Sequence, residues 1–122
     1  MGYAILIVDD DPRNLKLIRD LLQVKGYRTL EATDGKQGIE AANTSKPDLI
    51  VMDIQMPVMD GLEATKILKA EEKTKGIPII ALTSYAMKGD EKRILGVGCD
   101  DYITKPIDTR DFLKRVAGYL PE

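Results

Sequence analysis

The stretch Tyr3-Ala-Ile-Leu-Ile-Val-Asp-Asp-Asp-Pro12 decides the fold. A short, β-rich apolar run ends in three consecutive carboxylates, and Asp11 before Pro12 reads as a helix N-cap with proline at the first helical position. A strand therefore gives way at once to a helix, across a turn crowded with negative charge. The same alternation continues along the chain. Apolar β-rich runs recur at residues 27–32, 48–52, 77–82 and 102–103, and segments with helical spacing lie between them. Leu15, Ile18 and Leu22 fall at i, i+3 and i+7, and Phe112, Val116 and Leu120 at i, i+4 and i+8. Gly26 closes the first helix, while Asp60-Gly61 and Asp108 open later ones. The pattern is βα repeated five times. Nearly continuous apolar strands such as residues 5–8 and 49–52 predict a parallel sheet covered on both faces. Right-handed crossovers leave few topologies, and the expected one is a doubly wound α/β fold with the flavodoxin-like strand order 2-1-3-4-5.

The rest of the composition narrows the chemistry. At 122 residues without repeats or linkers, the chain reads as one domain, 1–122, with its core in residues 3–120 and no room for a second module. It contains no histidine, which excludes Ser-His-Asp and Cys-His catalysis and histidine-bearing zinc sites. The single cysteine, Cys99, forms no internal disulfide and reads as a small packing residue in a reducing compartment. A net charge of −2, scattered basic residues and the absence of Trp argue against direct nucleic-acid binding. The longest apolar run is far too short to span a membrane, and Leu6 stands where a myristoylation pattern needs Ser or Thr. A cytoplasmic protein without membrane insertion is the expectation.

In such a fold, ligands bind beyond the carboxyl ends of the strands. There the first strand delivers Asp9, Asp10 and Asp11, the third Asp53, the fourth Thr83 and Ser84, and the fifth is followed by Lys105-Pro106. Asp9, Asp10 and Asp53 held together would repel one another unless a cation entered. Mg²⁺ suits a few carboxylates, a backbone carbonyl and retained waters, and it leaves room for a phosphoryl oxygen. Lys105 and Thr83 add a fixed positive charge and a hydroxyl. Positioning and charge neutralisation are most of what phosphoryl transfer requires, and the available nucleophile is a carboxylate, giving an acyl phosphate.

As an ordered set, four motifs resemble the receiver domain of two-component response regulators. They are Asp9-Asp10, the run from Asp53 to Gly61 (Asp-Ile-Gln-Met-Pro-Val-Met-Asp-Gly), Thr83 with Ser84 and Ala86, and Tyr102-Ile-Thr-Lys105-Pro106. The run from Ala86 to Arg93 is also similar to single-domain cell-cycle regulators of the DivK type. The resemblance implies that Asp53 is the phospho-acceptor, supplied by a sensor histidine kinase or histidine phosphotransfer protein. It implies Mg²⁺ bound directly by Asp10 and Asp53, through water by Asp9, and by the backbone carbonyl of Gln55. Lys105 would pair with the phosphoryl group, next to a cis bond to Pro106. Thr83 and Tyr102 would form the switch, and the face of the fourth helix, fifth strand and fifth helix would bind a downstream protein. Gln55 and Tyr85 would flank the site and tune the acyl-phosphate lifetime. Ser84 departs from the family's usual Ala or Gly.

The fourth helix is the expected moving part, with a thin apolar stripe of Met87, Ile94 and Leu95 and a destabilising Gly89. Metabolite turnover is not expected. Two rival readings use fewer of these residues. A haloacid-dehalogenase-like phosphohydrolase would employ Asp9, Asp11, Thr83 or Ser84, and Asp100-Asp101, but it leaves Asp53 without a task. A pseudo-receiver would use the fold for binding without phosphorylation. Asp11 reads as an N-cap, and the basic residues near the last two helices, including Arg110 and Lys114, as an ordinary solvated surface.

Overall fold

The computed structural model describes residues 2–56, 59–84 and 90–120. Ten elements alternate: β1 (Ala4–Val8), α1 (Pro12–Val24), β2 (Arg28–Ala32), α2 (Gly35–Ser45), β3 (Leu49–Asp53), α3 (Gly61–Ala70), β4 (Ile79–Thr83), α4 (Asp90–Gly96), β5 (Asp101–Thr104) and α5 (Thr109–Tyr119). The five strands form one parallel sheet in the order β2-β1-β3-β4-β5, as the apolar pattern predicts.

Alternation along the strands divides the core into two layers. Leu6, Val8, Ile50, Met52, Ile79 and Ala81 pack with Ala42 of α2, Ala64 and Leu68 of α3, and Ile94 of α4. Ile5, Ile7, Leu49, Val51, Ile80 and Leu82 face the other way, onto Leu15, Ile18 and Leu22 of α1 and Phe112 and Val116 of α5. Both faces are covered, which is why the central strands carry no polar residue before their last position. Each fully buried Leu or Ile here contributes roughly 2 kcal/mol of burial.

The helix starts follow the predicted capping chemistry. Asp11 accepts the N–H of Arg13 with Pro12 behind it, Asp60 accepts the N–H of Glu63, and Asp108 accepts the N–H groups of Arg110 and Asp111. Gly26 follows α1 at φ +89°, a left-handed turn that leads the chain into β2. Strand boundaries move by one or two residues relative to the apolar runs, most at β4 and β5. β4 starts at Ile79 because Pro78 has no N–H for the ladder, although its carbonyl still accepts from Ile50 N at 3.0 Å. The strand correspondingly runs on to include Thr83. β5 gains Asp101 and Thr104, paired to Ile80 and Thr83. Of the expected fourth-helix stripe, Ile94 is buried and Leu95 is exposed, whereas Met87 and Gly89 lie outside the described residues, as do Tyr85 and Ala86.

Candidate functional site

The parallel register brings the predicted residues to one edge of the sheet. Val8 lies beside Met52, so Asp9 follows immediately on one strand and Asp53 on its neighbour. Asp53 lies beside Leu82, which sets Thr83 one step further along β4. Asp9 and Thr83 are fully buried and Asp53 nearly so, while Asp10 is exposed. Oxygen atoms of Asp9, Asp10 and Asp53 all lie within 4.8 Å of one another.

Lys105 reaches this cluster from the far strand, with its Nζ 3.1 Å from Asp53 Oδ1. The backbone helps to aim it, because Lys105 N donates to Thr83 O at 2.8 Å; the Lys105-Pro106 bond is cis, as the resemblance implied. Asp53 Oδ1 also accepts the N–H of Gln55 at 3.1 Å, so one carboxylate oxygen is held by two donors. Gly61 backs Asp53 closely. A Cβ at this position would lie 2.3 Å from Asp53 O, so the start of α3 passes closer to the Asp53 backbone than any side chain permits.

Asp9 is the strained member. Its Oδ1 accepts the N–H of Asp11 at 2.9 Å, but its buried Oδ2 has no hydrogen-bond partner among the described residues. Burial pushes the Asp9 pKa up to about 6; the Asp11 N–H opposes this, the negative charge of Asp53 reinforces it, and Lys105 partly offsets that charge. An orphaned buried oxygen inside an all-oxygen triad without histidine fits a small hard cation.

Gln55 does something the sequence did not reveal. Its side-chain Oε1 accepts the N–H of Ser84 at 2.8 Å, tying the loop after β3 to the end of β4. No spacing rule predicts a contact between residues that far apart. Tyr102 lies beside Ala81 on β5, and its side chain lies near Glu91 of α4. Burial and then the Glu91 charge raise its pKa.

The rival phosphohydrolase set does not assemble. Asp11 is occupied as the α1 cap, and Asp100 accepts the N–H of Ile79, at the first residue of β4. Asp100 and Asp101 therefore sit at the opposite edge of the sheet from Asp9. Cys99 is buried, with its thiol 3.7 Å from Thr65 Oγ1 and its pKa raised by burial, as expected of a packing residue.

Comparison with known proteins agrees with this geometry. The polar-differentiation response regulator DivK of Brucella anthropi is 45% identical over 120 residues, and that of Brucella abortus strain 2308 is 46% identical, each alignment covering 98% of both chains. Among solved structures, the receiver domain of sensor histidine kinase PA1611 from Pseudomonas aeruginosa PAO1, described with a magnesium ion coordinated in its active-site cleft, superposes with a TM-score of 0.90. It is 36% identical and covers 98% of each chain. The chemotaxis protein CheY4 of Vibrio cholerae superposes with a TM-score of 0.91 at 28% identity, covering 98% of this chain and 99% of that one. Residues 5–117 match the family described as response regulator receiver domain, and the chain belongs to that family of two-component signalling proteins.

Proposed function

We propose that Asp53 accepts a phosphoryl group from a phosphohistidine on a histidine kinase or histidine phosphotransfer protein. One observation carries this reading: three carboxylates lie within 4.8 Å of one another, and a lysine 3.1 Å from Asp53 faces them. An oxygen of Asp53 attacks phosphorus, the P–N bond to the donor imidazole breaks with its electron pair leaving on nitrogen, and a P–O bond forms. Asp9, Asp10, Asp53 and the backbone carbonyl of Gln55 would hold Mg²⁺. When bound, the ion offsets the mutual repulsion of the carboxylates and neutralises phosphoryl charge. Lys105 supplies a second fixed positive charge, and Thr83, at the end of β4, a hydroxyl for a phosphoryl oxygen.

Phosphorylation adds about −1.5 to −2 charge and three acceptors, enough to draw Thr83 and Lys105 into new charge-assisted bonds. Tyr102 would follow Thr83, moving away from Glu91 and so reporting the event to α4. The altered face of α4, β5 and α5 would then bind a downstream protein. The similarity to DivK along 98% of both chains supports reading this receiver as a DivK-like regulator. Among the described residues no helix is long and apolar enough to cross a membrane. We place its action in the cytoplasm, where kinase and target would meet it.

Labelling by acetyl phosphate tests the proposal. Incorporation should require Mg²⁺ and should be lost in Asp53→Asn. Label that persists in Asp53→Asn and disappears in Asp9→Asn would overturn it.

A further inference from the structure

The two flanks of α5 differ in charge and in how that charge is used. On the flank facing β5, Arg115 binds Asp101 at 2.8 Å and Asp111 at 3.0 Å, Asp108 caps the helix, and Asp100 binds Lys69 at 3.0 Å. Charge on that side is largely matched internally. On the other flank, Arg110, Leu113, Lys114 and Ala117 fall at i, i+3, i+4 and i+7 and so form one stripe. With Lys25 and Tyr27, beyond the end of α1, they line a groove of about 380 Å³. Its floor is apolar and its rim is cationic. Lys25, Arg110 and Lys114 have no carboxylate partner among the described residues, whereas Arg13, Lys16 and Arg19 of α1 each have one. Val24, beside Lys25, is 84% exposed, the most exposed of the large hydrophobic residues described.

We propose that this groove docks an acidic, amphipathic segment of a partner protein. Carboxylates of the partner would meet Lys25, Arg110 and Lys114 while an apolar side chain rests on Tyr27 and Leu113. Charge complementarity favours this occupant, because these cations have no carboxylate partner among the described residues of a chain whose net charge is −2. A second copy presenting the opposite flank of α5 is a poor match, because the carboxylates there are already committed to Arg115, to Lys69 and to the helix cap. No residue of the carboxylate site lines the groove, so docking here is independent of phosphorylation and compatible with a second partner on the α4–β5–α5 face.

The test follows backbone amide resonances of the full chain as an amphipathic peptide of Leu and Glu is added, with Leu–Gln and Leu–Lys peptides as comparators. Shifts centred on Tyr27, Leu113 and Ala117 are expected with the Glu peptide. Affinity should fall about tenfold in the combined Lys25→Gln, Arg110→Gln and Lys114→Gln variant and remain unchanged in Asp53→Asn. Single Lys25→Gln and Lys114→Gln variants, each expected to weaken binding about twofold, serve if the triple variant melts early. Equal affinity for the Gln peptide, or shifts centred on α4 and β5, would overturn the proposal. So would self-association that the same substitutions abolish, which would make a second copy the occupant, or binding confined to vesicles containing phosphatidylserine.

Discussion

Asp9 and Asp10 are neighbours in sequence, yet Asp9 is fully buried and Asp10 exposed, because the turn after β1 sends them in different directions. The burial of Asp9 has a signed consequence for stability. Its folded pKa of about 6 lies above the ordinary 3.8, so between these values the native state keeps a proton that the unfolded chain has lost. In metal-free protein, stability therefore falls as pH rises from about 4 to about 6, and above that Asp9 costs about 3 kcal/mol. Asp9→Asn, which is neutral at every pH, should match the parent near pH 4 and exceed it above pH 6 by a gap of that order. Chemical denaturation at a series of pH values in the presence of a chelator checks this; a gap that does not change with pH would show that the Asp9 charge carries no such cost.

At the level of elements, the N-terminal edge of the sheet is stitched by side chains as firmly as the opposite edge is left charged. Lys69, near the end of α3, donates to Ile77 O at 2.7 Å, to Lys75 O at 3.3 Å and to Asp100 Oδ2 at 3.0 Å, and that same oxygen accepts the N–H of Ile79. One ammonium thus joins α3, the entry to β4 and the entry to β5. Lys69→Met keeps the alkyl stem but removes these bonds, and should cost about 1–2 kcal/mol, read as a lower denaturation midpoint with an unchanged slope. Nothing in the sequence marked this knot, because lysine and aspartate 31 positions apart carry no local signature. The elements it joins were readable: the strands from continuous apolar runs, and α1 and α5 from helical spacing and Asp caps. α2 was readable mainly by elimination, since its close approach to β1 is through Gly38, where a Cβ would lie 2.9 Å from Val8 Cγ2, and its one large apolar residue, Ile39, is only partly buried against that layer. The site was legible for the same reason as the strands: in a parallel sheet, residues at strand C-termini must share an edge. The Gln55–Ser84 bond and the Tyr102–Glu91 contact depend on side-chain direction in loops and at a helix end, which periodicity does not encode.

Across the whole molecule, two well-packed layers and a stitched edge hold three carboxylates at the opposite edge closer together than they would stay in an open chain. Repulsion built into one edge of a stable fold makes that edge respond to a cation more strongly than the rest of the surface does. At free magnesium about ten times its dissociation constant, mass action stabilises the folded chain by about 1.4 kcal/mol, equivalent to a rise in melting temperature of roughly 3–6 °C. Because Asp9 holds a proton below about pH 6, the rise should be larger at pH 7.5 than at pH 5, as proton and metal compete for the same oxygen. Asp53→Asn and Asp9→Asn should each reduce the shift, whereas Lys69→Met, at the far edge, should lower the melting temperature and leave the magnesium increment intact. Thermal melts of the four proteins with and without magnesium at the two pH values check this. An equal increment in Asp53→Asn would place the cation elsewhere on the molecule, and with it the origin of the carboxylate cluster's response.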